Sequence, residues 1–236
     1  MSLPDSLDTA VRQAQEATEA ALKDGHNRLQ IEIILGDLNV MDMARQYLDL
    51  FAPQGEHLKV FFADAGAAAL ARRDWGETAF SIRGVSELLE PVQDSDQAVV
   101  IIAPTPVEVT DIEKMCLTAG DRPFVLLNPK LQDVAIVGIG YAGRQLRERF
   151  LNTLEPCYYL RPLAEDTVLF RAYPAPWQIW HSDPTEQFQC LSEFDHRPSG
   201  EEIERCLMGQ TPGQSSEAGT RSFWNRLNRF LRALQQ

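Results

Sequence analysis

Long apolar runs are the first thing missing from this sequence. A membrane-spanning helix needs roughly 18 consecutive apolar residues, and the longest candidates here, "AVVIIA" and "VAIVGIG", are only strand-sized. The opening "MSLPDSLDTA" has no basic stretch followed by an apolar one, so a secretory leader is not expected. Cysteines are few and scattered: Cys116, Cys157, Cys190 and Cys206 form no CxxC pair, which favours reduced, mostly buried thiols over a disulfide framework. His181, Cys190, His196 and Cys206 can be grouped on paper as zinc ligands, but their spacings match no common zinc pattern. A P-loop, an HExxH helix and a Ser-His-Asp arrangement are absent too, and none of the 4 histidines lies in a recognisable catalytic motif, so an enzyme is not supported. Basic residues are in the minority, with 22 Lys and Arg against 34 Asp and Glu and a formal net charge of −12. Phosphate backbones are bound mainly by clustered Lys and Arg, so no nucleic-acid partner is expected for the body. These absences together lead to the expectation of a soluble cytoplasmic protein.

What is present is an alternation of strands and helices. Asp5 to Asp24 carries Leu7, Val11, Ala14, Ala17, Ala21 and Leu22 at helical spacing and stops at Gly25. Strands are expected at 29–35, 58–63, 78–82, 97–103 and 123–127, with helices over 40–51 and 65–73, a turn of helix at 85–89, and a helix ending at Gly120. Thr110 and Glu113 have the spacing of a capping box for that last helix. "QAVVIIA" is the continuous apolar run of a strand buried on both faces of a parallel sheet. The predicted class is therefore α/β, a mostly parallel, Rossmann-like sheet covered by helices.

After this the rhythm changes. "PCYYLRP", "TVLFRAY" and "WQIW" are short, aromatic and interrupted by prolines, which suits an antiparallel extension or a small cap. Ser199 and Glu202 form a second capping box, opening a helix that ends near Gly209. The reading divides the chain into an α/β domain over 1–209, a flexible linker over 210–220 and a basic amphipathic helix over 221–236.

"VAIVGIGYAGRQLRERF" places Gly138, Gly140 and Gly143 at the spacing of a dinucleotide-binding loop. Its context argues against that chemistry. Only "NPKLQD" separates the strand at 123–127 from Val134–Val137, and six residues are too few for the crossover of about a dozen that joins parallel neighbours. The two strands should form an antiparallel hairpin, sending Gly138 away from the carboxyl edge where pyrophosphate is bound. The glycines are then read as permitting a tight turn and close packing of a helix over Ala142–Leu154, and no cofactor is expected. Gly140, Arg144 and Arg147 at that helix start remain a candidate anion site, set against a solvated basic face.

If the first strands are parallel, their carboxyl ends gather Gly36, Asp37 and Asn39, then Asp64 and Gly66, then Thr105, then Asn128 and Lys130. Asp37, Asp64, Gly66, Thr105, Asn128 and Lys130 are the candidate ligand-binding set, since carboxylates, an amide and a lysine could hold a polar molecule or nucleotide. The same residue types cap helices and turns at such positions.

In the ordered set "FADAGAAALARRDW", "LLNPKL", "GIGYAGRQLRERF" and "YPAPWQIW" the chain resembles a family of uncharacterised cyanobacterial and chloroplast domains. That family includes the plant low photosystem II accumulation factor and the C-terminal domain of a chloroplast adenylate kinase. The resemblance covers about Pro4 to Trp180. It implies a non-enzymatic auxiliary role in assembling or maintaining a photosynthetic complex, with that complex or an assembly intermediate as partner. It also marks Asp64, Gly66, Asn128, Pro129, Gly140, Arg144, Arg147, Pro176 and Trp177 as motif positions; with no transit-peptide pattern at the start of the sequence, a cyanobacterial cytoplasmic protein is expected over a plant precursor.

The tail "RSFWNRLNRFLRALQQ" has Arg221, Arg226, Arg229 and Arg232 and no acid, so the rest of the chain is more negative than the −12 of the whole. At about 100° per residue, Phe223, Trp224, Leu227, Phe230, Leu231 and Leu234 fall within an arc of about 120°, with the arginines opposite. Such a helix lies on membranes or docks into partner grooves. Four arginines near an anionic leaflet contribute up to about 4 kcal/mol, and a linker spanning nearly 20 Å (about 5–6 Å × √n) lets the acidic body stand off. Self-docking on the acidic domain, a protein partner and a peripheral contact with the thylakoid membrane are the three destinations this pattern allows.

Overall fold

A computed structural model describes residues 2–87, 92–131, 141–164, 166–182 and 187–208. Helix α1 (Leu7–Lys23) is capped by Ser6, whose hydroxyl accepts the Thr9 N–H at 3.1 Å. Its alanine-rich face lets it lie close to the sheet, where Ala10, Ala14, Ala17 and Ala21 are fully buried. Strand β1 (Arg28–Ile33) leads to α2 (Val40–Leu48), a 3-10 segment over Asp49–His57, β2 (Leu58–Phe62), α3 (Ala65–Trp75), β3 (Ser81–Gly84) and β4 (Ala98–Ile102). Then come α4 (Val109–Ala119), β5 (Phe124–Leu127), α5 (Tyr141–Arg149), a 3-10 turn at Leu151–Thr153, and the strands β6 (Glu155–Ala164), β7 (Thr167–Ala172), β8 (Trp177–Ser182) and β9 (Phe188–Phe194). Helix α6 (Gly200–Met208) follows.

All nine strands form one sheet in the order β3-β2-β4-β5-β1-β6-β7-β8-β9. The pairs from β3 to β6 are parallel, and β6 to β9 run as an antiparallel meander. The expected class, a mostly parallel sheet with an antiparallel extension, is the one found, and the aromatic strands continue the sheet instead of forming a cap.

Strand alternation divides the core. Leu29, Ile31, Val60, Phe62, Val100 and Val125 pack with α1, α2 and α3 on one face. On the other, Phe61, Val99, Ile101, Phe124 and Leu126 pack with α4 and α5. The connections that run leftward in the sheet thus use one face and those that run rightward use the opposite face, as right-handed crossovers require. A smaller apolar cluster, Tyr159, Leu169, Trp177 and Ile179, lies under α6 on the second face.

Two local expectations are corrected. Both edges of β5 are occupied along its length, Phe124 to Leu127 pairing with Val99 to Ile102 of β4 and with Arg28 to Ile31 of β1. That overturns the antiparallel hairpin between β5 and Val134–Val137. Residues 132–140, with Gly138 and Gly140, lie outside the described residues. The Thr110–Glu113 capping box is not formed either: α4 starts two residues earlier than that box implies, at Val109, where Glu108 accepts the Thr105 N–H at 2.9 Å and hydroxyl at 2.7 Å. Glu113 is drawn instead to Arg149, whose Nε and Nη2 donate to its two oxygens at 2.6 and 2.9 Å, tying α4 to α5. The Ser199–Glu202 box does form, with the Ser199 N–H on Glu202 at 2.8 Å and the Glu202 N–H on Ser199 at 3.3 Å. The linker at 210–220 and the tail helix at 221–236 lie outside the described residues.

Candidate functional site

At the carboxyl edge of the parallel strands the expected residues are present, and most serve the backbone. Asp64 caps α3 by accepting the Ala67 N–H at 2.9 Å. Gly66 follows it, its Cα so near that an added Cβ would stand 3.0 Å from the Asp64 carboxylate. Asn39 caps α2, accepting from Met41 at 3.1 Å and from Asp42 at 3.4 Å. Thr105 gives its N–H and hydroxyl to Glu108.

Asn128 sits with φ +48°, in the left-handed region that asparagine tolerates better than most residues. Its N–H donates to the Ile31 carbonyl at 2.7 Å. The side chain then takes over: Oδ1 accepts the Ile33 N–H at 2.7 Å and Nδ2 donates to the Ile33 carbonyl at 2.9 Å. Lys130 donates its backbone N–H to Pro104 at 2.8 Å and leaves its side chain exposed. Asp37 is exposed in the loop after β1. Arg144 and Arg147 lie on α5, one exposed and one half-buried.

A different place on the sheet holds a concentration of polar and charged side chains. On the second face, apolar packing stops at β1, which presents Gln30 and Glu32 although both are less than a tenth exposed. Gln30 Nε2 donates to Glu32 Oε1 at 2.6 Å. Register places Glu32 opposite Tyr159 of β6, and Tyr159 opposite Arg171 of β7, so the three share one row across the seam between the parallel and antiparallel halves. A bulge in β6 next to Gln30, with Pro156 opposite it and Cys157 as the extra residue, sets this register.

Above the row is a hollow of about 260 Å³. Leu151, Asn152, Leu154 and Pro156 line it together with Arg171, Trp177 and Asp195 to Arg197. Arg171 is held by Glu155 at 2.6 Å, with its guanidinium carbon 5.5 Å from the Trp177 ring centre. Arg197 donates to the Tyr159 hydroxyl at 2.8 Å and stacks on that ring at 4.6 Å. Its guanidinium also stands 5.6 Å from Trp177. Burial pushes the Glu32 carboxyl above the ordinary carboxylate value, opposed by the charge of Arg197, the Gln30 hydrogen bond and the charge of Arg161. A second hollow, of about 360 Å³, opens at the amino ends of β1 and β6, and Asn152 and Leu154 line both.

Of the family motif positions, the structure brings Trp177 into this site and leaves Asp64 and Asn128 at the carboxyl edge. Sequence reasoning did not single out Gln30, Glu32, Arg171 or Arg197. The available signal was "LQIEIIL": polar residues on alternate positions of a strand at the centre of a doubly covered parallel sheet, where near-continuous apolar residues are the rule. Among the described residues, no group of three His, Cys, Asp or Glu side chains is placed to hold a metal ion. Among them, too, no helix is long and apolar enough to cross a membrane.

The sheet and its covering helices define an α/β protein of doubly wound type with an antiparallel wing. Residues 4–205 match the family model described as "Domain of unknown function (DUF1995)", and the chain belongs to that family.

Proposed function

We propose that this protein is a non-enzymatic adaptor, an auxiliary or assembly factor that attaches to a photosynthetic protein complex or one of its assembly intermediates. The observation that carries the reading is the commitment of the carboxyl edge. Open α/β sheets place their chemistry in the crevice outside the carboxyl ends of the strands, and here Asp64, Asn39, Thr105 and Asn128 are engaged there in caps and in the sheet ladder. A domain that uses those side chains to fix its loops presents a rigid surface for recognition. The photosynthetic setting is supported by the resemblance of the four quoted segments to cyanobacterial and chloroplast domains. A cytoplasmic location with peripheral attachment to the thylakoid is supported by the basic amphipathic pattern of Phe223, Trp224, Arg226, Leu227, Arg229, Phe230, Leu231 and Leu234 beside a strongly acidic body.

Affinity purification of the tagged protein from solubilised cyanobacterial cells tests this, comparing the full chain with one ending at Gly209. Recovery of a photosynthetic subunit by the full chain alone puts recognition on the tail, and recovery by both puts it on the body. Recovery of none by either form rejects the adaptor role.

A further inference from the structure

We draw no further inference here: the strongest candidate, the surface patch of exposed Ile34 and Leu163 at the carboxyl ends of the neighbouring strands β1 and β6, is an apolar face for which nothing in the structure shows what covers it.

Discussion

Asn128 pairs with Ile33 as if it were an extra rung of the sheet: its side-chain carbonyl takes the Ile33 N–H at 2.7 Å while its amide donates to the Ile33 carbonyl at 2.9 Å. The pairing extends the β1–β5 ladder beyond the last backbone bond. Asn128→Ala removes both bonds, at about 0.5–1.5 kcal/mol each, and leaves an alanine at φ +48°, for which the left-handed region costs about 1–2 kcal/mol. A loss of about 2–5 kcal/mol is expected in urea denaturation. Asn128→Gly, which removes the bonds but tolerates the backbone, should lose less.

Gly84, at the end of β3, is pressed against the start of α3. A Cβ there would come within 2.8 Å of the Ala65 nitrogen and 3.0 Å of the Asp64 carbonyl carbon, and backbone atoms cannot swing aside as a flexible side chain can. Gly84→Ala should destabilise the fold by about 1–3 kcal/mol. At Gly36 an added Cβ meets nothing within 4 Å, so Gly36→Ala serves as the near-neutral comparison in the same thermal-melt series.

Glu32 makes stability depend on pH with a definite sign. Its folded pKa is raised above the ordinary value of 4.5, chiefly by burial. Between those two values the folded state binds more protons than the unfolded one, so stability falls as pH rises through that window and levels off above the folded value. Glu32→Gln keeps the shape and removes the titration. Denaturation across acid to neutral pH should show the variant gaining on the parent as pH rises from below 4.5, and parallel curves would refute the assignment.

The tail is tested by substitution without truncation. Phe223, Trp224 and Phe230 changed together to serine should release the protein from membrane fractions with its melting temperature unchanged. A large fall in melting temperature would place the tail on its own domain instead.

Legibility in the sequence followed burial. β2 and β4 were readable because every residue of each is buried, which requires a nearly continuous apolar run, broken only by Lys59 of β2, which is paired with Asp96 at 3.8 Å. The two capping boxes have the same spacing, yet only Ser199–Glu202 formed. Thr110–Glu113 gave way to the Thr105–Glu108 pair five residues upstream, and Glu113 is bound by Arg149 instead. Which strand lies beside which was far less legible. The six residues after β5 suggested a hairpin because sequence distance was the only guide, while β1, nearly a hundred residues earlier in register (Gln30 beside Leu126), occupied the edge. The hollow was hidden for the same reason. Its residues come from β1, the 3-10 turn before β6, β6, β7, β8 and the segment after β9, and nothing local marks Arg171 and Arg197 as neighbours of one indole.

The place of β1 in the sheet also sets a timetable for synthesis. Its two partners are β5, which begins at Phe124, and β6, which begins at Glu155. A nascent chain that has emerged through β4 can join β2 to β3 and β4, but its first strand still has both edges open. Such edges template pairing with other chains. The protein closes its own centre late, and the ribosome-bound intermediate is the species most in need of a chaperone.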